Sequence, residues 1–181
     1  MKSKNFFKLF TAAVIACAIA FSIPVSAQEN TKLSDAEIAS VAVTANQIDI
    51  DYAAIAKLKS KNADVLKFAE TMAADHKAVI DQAVALVTKL NVTPKDNAVS
   101  QKLLADAKNT KKALNAKSGN AFNKAYIDNE VAYHKAVINA VETVLIPDAQ
   151  NAELKSLLQN VLPVLKTHLE HAVMVQNKIS K

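Results

Sequence analysis

The stretch Ala63 to Leu90, ADVLKFAETMAADHKAVIDQAVALVTKL, places Val65, Ala69, Met72, His76, Val79, Ala83, Leu86 and Leu90 at steps that alternate four and three without a slip. That spacing keeps one face of a helix against a partner and is the pattern of a helical-bundle seam. It predicts one long helix with a histidine at the middle of its buried stripe. Composition agrees, because the 181 residues include one glycine and no tryptophan and are dominated by good helix formers. Such a chain is all-α.

Working outward, Ser34-Asp35-Ala36-Glu37 has the spacing of a capping box and predicts a first helix to about Lys59. Its stripe is Ile38, Val41, Ala45, Ile48, Tyr52 and Ile55. The break at 60–62 is short, so the second helix folds back antiparallel. Asn91 ends that helix, and Thr93-Pro94 reads as the start of a shorter, more polar one over about Lys95 to Ala116. Beyond Gly119 a third long helix is expected from about Asn120 to Leu145, with Pro147 as the break. A fourth follows from about Asp148 to Lys178, with Pro163 inside it as a kink. Two tight hairpins joined by nearly 30 residues, with a short extra helix inside that long crossover, give the plan of a ferritin-like four-helix bundle.

The N-terminus reads as a secretory signal peptide. Lys2, Lys4 and Lys8 precede the apolar run Leu9 to Val25, which ends in Val25-Ser26-Ala27; cleavage after Ala27 would leave 181 − 27 = 154 residues, one bundle domain over 28–181. The run is below the roughly 20 residues of a spanning helix, and no second span follows it. Val14-Ile15-Ala16-Cys17 also resembles a lipoprotein box, a weaker reading because a cut there would leave an apolar stretch in place of a polar tether. The expected location is the periplasm, or the outer membrane as an associated protein. Removing the three lysines lowers the formal charge from +5 to +2 (19 basic against 17 acidic residues), with the signs interleaved, so nothing points to nucleic acid. Cys17 leaves with the signal peptide, so packing stabilises the mature chain.

His76, His134 and His168 each sit near the middle of a different long helix, on its seam. Asp49 lies at the middle of the remaining one, and Glu130 lies one turn before His134. A buried imidazole must be hydrogen-bonded or otherwise bonded. Three imidazoles with a carboxylate suit one transition-metal ion, with Glu130 or His171 as a further ligand or a supporting partner. The competing reading is a buried polar network in which the histidines bond Asp49, Glu130, Tyr52 or Tyr126. One count opposes a metal: measured from Pro147, His134 lies 13 residues before and His168 21 after, an offset of ~12 Å. Imidazole nitrogens within about 4 Å would favour the metal and a separation above ~8 Å would exclude a three-histidine site. The echo of His76-Lys77-Ala78-Val79-Ile80-Asp81 in His134-Lys135-Ala136-Val137-Ile138-Asn139 fits both an old duplication and chance among common helix formers.

Taken together, Phe68-Ala69, Met72 and Asp75-His76, then Phe122, Tyr126-Ile127 and His134, then Leu162-Pro163-Val164-Leu165 and His168-Leu169 resemble a family of bacterial envelope proteins ascribed to the outer membrane, a domain of unknown function in the ferritin-like superfamily. The resemblance covers about Ser34 to Gln176. It implies a ferritin-like bundle in the periplasm or at the outer membrane with no established activity, and the family often has glutamate where Asp49 aligns. Ferritins and di-iron oxidases take a Glu-x-x-His pair from each of two helices, whereas Ala73, Val131 and Leu165 stand three before His76, His134 and His168. That departure argues against ferroxidase or oxygen-activating chemistry. Three functions remain: a non-catalytic module holding one transition metal through His76, His134 and His168 with Asp49 or Glu130; a structural protein docking to an envelope partner; and a metal-dependent oxidoreductase.

Overall fold

The computed structural model describes residues 32–180, so the signal peptide expected at 1–27 and Cys17 lie outside the described residues. Within them the chain is all-helical. The elements are α1 (Asp35–Lys59), α2 (Ala63–Lys89), α3 (Ala98–Asn115), α4 (Gly119–Ala140), a π-helical turn (Val141–Leu145), the short α5 (Ile146–Asp148) and α6 (Ala152–Ile179). No helix among the described residues is long and apolar enough to cross a membrane.

The ends of these helices follow local chemistry. Ser34 caps α1 through the capping box with Glu37, which supplies acceptors to first-turn amides that have no helical partner. Helix α2 closes on Asn91 in the left-handed region (φ 52°). The amides of Asn91 and Val92 bond the carbonyls of Thr88 and Val87, a Schellman closure. Helix α3 starts later than Thr93-Pro94 suggests: Asn97 is its cap and accepts from Val99 and Ser100, while the Lys95 amide is committed to the Ala36 carbonyl of α1.

Pro147 does not end the fourth segment. The helix widens into the π turn, where the Ile146 amide bonds the Val141 carbonyl, and this admits a proline whose ring would otherwise strike the carbonyl four residues back. The chain reverses only at 149–151, and Asn151 caps α6. Helix α6 is continuous through Pro163.

Helix α1 packs on α2, and α4 packs on α6; α2 also meets α6, and α1 meets α4. These four long helices therefore form a closed square of antiparallel neighbours, while α3 lies against α1 and touches α4. Helix α3 climbs from the Glu37 carbonyl, held by the Asn97 amide group, to Lys59, whose Nζ bonds the Asn115 carbonyl. It thus carries the chain from one end of the square to the other. Two apolar clusters occupy the interior. The upper one is centred on Tyr52, Phe68, Met72, Phe122 and Tyr126, and the lower one on Ile38, Val41, Leu145, Leu158 and Leu165.

Candidate metal centre

Between the two clusters lies a polar layer to which every long helix contributes: Asn46 and Asp49 from α1, Asp75 and His76 from α2, Glu130 and His134 from α4, and His168 from α6. His76, His134 and His168 are all buried, as are Asp49 and Glu130. One ring nitrogen from each histidine lies within 4.8 Å of the others. The ring centroids are 5.2 Å apart for His76 and His168 and 5.6 Å for the other two pairs.

The 12 Å offset expected from Pro147 does not exist, because the reversal is not there. Counted from Gln150 at the centre of the true turn, His134 is 16 residues before and His168 is 18 after. The two residues of difference amount to ~3 Å along the axis.

Each ring has one nitrogen engaged outward and the other turned to the shared space. His76 Nδ1 is 2.7 Å from Asn46 Oδ1; the Asn46 amide nitrogen donates to the Ala42 carbonyl, which fixes its oxygen toward the ring. His76 therefore donates from Nδ1 and carries its lone pair on Nε2. His134 Nδ1 donates to the Glu130 carbonyl at 3.0 Å, again leaving Nε2. His168 Nε2 meets the Asp75 carboxylate at 2.9 Å, leaving Nδ1. These three inward nitrogens, both oxygens of Asp49 and both carboxylate oxygens of Glu130 are buried without a hydrogen-bond partner. Native proteins rarely leave so many buried polar atoms unsatisfied in one place.

The carboxylates complete the layer. Asp49 Oδ2 is 3.3 Å from His76 Nε2 and 3.6 Å from His134 Nε2, and Glu130 Oε2 is 3.7 Å from His134 Nδ1. Asp49, Glu130 and His134 form a second compact group with ligand atoms within 4.8 Å. Burial pushes the Asp49 carboxyl up to about 8, and burial reinforced by the Asp49 charge pushes Glu130 well up. Burial, followed by the neighbouring imidazoles, lowers His76 to about 3, and burial chiefly lowers His134 to about 4. Without a cation, burial favours neutral rings at His76 and His134 and protonated carboxyls at Asp49 and Glu130.

Of the sequence-predicted residues, His76, His134, His168, Asp49 and Glu130 all come together. His171 does not: its ring packs edge-on against Phe68, with centroids 5.1 Å apart. In the competing network only the Tyr126 partner is ruled out, since its hydroxyl has no partner; Tyr133, which that reading did not name, donates its hydroxyl to the Ala45 carbonyl. Asn46 escaped sequence reasoning, although its spacing of three before Asp49 puts it on the same helical face.

The fold and this layer define a class: an all-α protein whose buried imidazoles and carboxylates could hold a metal ion. The chain belongs to the family described as Domain of unknown function (DUF4142), whose model matches residues 20–175. No curated protein and no solved structure matches it.

Proposed function

We propose that this chain is an exported, ferritin-like four-helix bundle of the periplasm or outer membrane whose work is to hold one transition-metal ion. His76 Nε2, His134 Nε2, His168 Nδ1 and Asp49 would bind it. Glu130 would supply a second negative charge, while Asn46 and Asp75 orient the rings. The single observation that carries this reading is the convergence of three orphaned ring nitrogens, each with its opposite nitrogen anchored, which is how proteins present histidine ligands.

Charge supports it as well. Two unpaired buried carboxylates are costly, and a dication beside Asp49 and Glu130 brings the formal sum to zero. A set of three imidazoles and one carboxylate suits zinc, copper, iron or manganese. In a tetrahedral shell with bonds of ~2.0–2.1 Å, ligand atoms stand ~3.3 Å apart, so side-chain adjustments of about an ångström would close the present spacing. The Glu-x-x-His pairs that di-iron proteins take from two helices are absent, since Ala73, Val131 and Leu165 stand three before the histidines, so one ion is the expected load.

Tag-free protein, stripped with chelator and dialysed against zinc, copper, manganese or iron, should retain one equivalent of a metal and melt higher. His76→Gln and His134→Gln should lose it while keeping helical content. Retention of less than a tenth of an equivalent of every metal, with no melting shift, overturns the reading. Export is tested by the mass of the mature protein, expected to begin at Gln28.

A further inference from the structure

Directly below the polar layer, the interior of the square is not filled. An elongated cavity of about 60 Å³ runs from His76, His134 and Asp49 down between the helices toward Leu145 and Leu154. Its wall on α1 extends from Ala39 to Asp49, ten residues or ~15 Å along the axis. A water-sized sphere needs ~10–15 Å³ of such space, so the volume holds a file of about four to six spheres. Spread over ~15 Å, the space is a long, narrow bore lined by side chains of all four long helices.

Its wall is almost wholly aliphatic, with Ala42, Ala83, Val141, Leu158, Val161 and Leu165 among the lining side chains. Water in a bore would need two to four polar partners per molecule, and only the upper end offers any. That end is the cluster of His76, His134 and Asp49. Asymmetry of this kind, apolar along its length with the candidate metal ligands at one end, matches a molecule with a slender apolar tail and one metal-binding head.

We propose that the bore takes a single-chain aliphatic carboxylate, its tail along α1, α2 and α6 and its carboxylate adding a fifth ligand to the metal held by the three histidines and Asp49. The inference rests on the metal reading above and names the ligand class of that same site. No bond is made or broken: the carboxylate adds as a further ligand, and the tail exchanges water for the wall of the bore. Alanines at 39, 42 and 45 on α1 and at 83 on α2 leave the space that larger side chains would close.

The test is calorimetric titration of zinc-loaded protein with acetate, butanoate, hexanoate, octanoate and decanoate, with zinc content measured in the same samples. Affinity should rise by about two- to fourfold per carbon until the bore is full. Ala83→Leu, or Val161→Phe should that variant fail to fold, plugs the bore below the metal ligands; it should keep the zinc and the acetate affinity and lose the dependence on chain length. A zinc-loaded wild type with flat affinity across the series, or a folded plugged variant with an unchanged series, overturns the proposal and leaves the metal reading standing. Protein that takes up no zinc fails at the earlier step, which the zinc content identifies.

Discussion

The core above the histidine layer combines four aromatic rings with aliphatic side chains, and the core below it is aliphatic throughout. Phe68, Phe122 and Tyr126 are inaccessible to solvent above the layer, with Phe122 and Tyr126 stacked and Phe68 set across Tyr126. The described aromatic rings all lie in the upper half or, as Tyr133 does, against the layer. Below it, the same four helices enclose a bore. The same four long helices run through both halves, but the upper one also buries Ala107 and Leu114 of α3, so side-chain volume and that extra helix together decide which is packed solid and which retains space. The filled half holds the helices in register; the open half leads to the ligands.

That contrast sets the order of expected effects. Phe68→Ala should be the largest, costing about 3–5 kcal/mol because a fully buried ring leaves a cavity in a half that has no slack. Leu158→Ala, on the wall of the bore, should cost about 2 kcal/mol, the low end for a buried leucine, since part of its environment is already empty. Urea denaturation of the metal-free proteins measures both. Equal losses would break the contrast between the halves.

The layer itself adds a pH signature in metal-free protein. Asp49 titrates near 8 when folded against 3.8 as its ordinary value, so the native state keeps a proton that the unfolded chain has lost, and stability falls as pH rises between those values. His76 and His134, lowered to about 3 and about 4 from 6.5, act with the opposite sign: below 6.5 the unfolded chain takes up protons that the native rings refuse. The two carboxyls and the two imidazoles therefore offset one another below 6.5, so stability should be nearly level there and decline from about pH 6.5 toward 8 by up to about 1.4 kcal/mol per pH unit for each carboxyl proton. Asp49→Asn should flatten that decline, which denaturation at both pH values with chelator present would reveal. Smallest is Asn97→Ala, which removes the cap of α3 and should cost about 1 kcal/mol without altering metal uptake.

Much of this was legible in the chain. The seam of α2, the capping box at Ser34 and the closure at Asn91 rest on local chemistry, and the structure keeps them. The midpoints of three helices also pointed to His76, His134 and His168. Their meeting was not legible, because it depends on where α4 gives way to α6. Pro147 is the conspicuous breaker, yet the π turn accommodates it and the quieter signal, Asn151 before Ala152-Glu153, marks the reversal. Asp49 looked one position off its stripe since a stripe assumes one buried face, whereas α1 is covered by α2, α3 and α4. The cavity had no sequence signature at all: small residues on a seam are equally compatible with closer helices.

The central claim is that the three inward nitrogens bind one ion. X-ray absorption at the metal edge of zinc-loaded, tag-free protein tests it most directly. The account predicts a first shell of about four nitrogen and oxygen atoms at ~2.0–2.1 Å, with the outer-atom scattering of about three imidazoles, and loss of one imidazole in His168→Gln. A shell of water-like oxygens without imidazole scattering, or an unchanged spectrum in that variant, would contradict it.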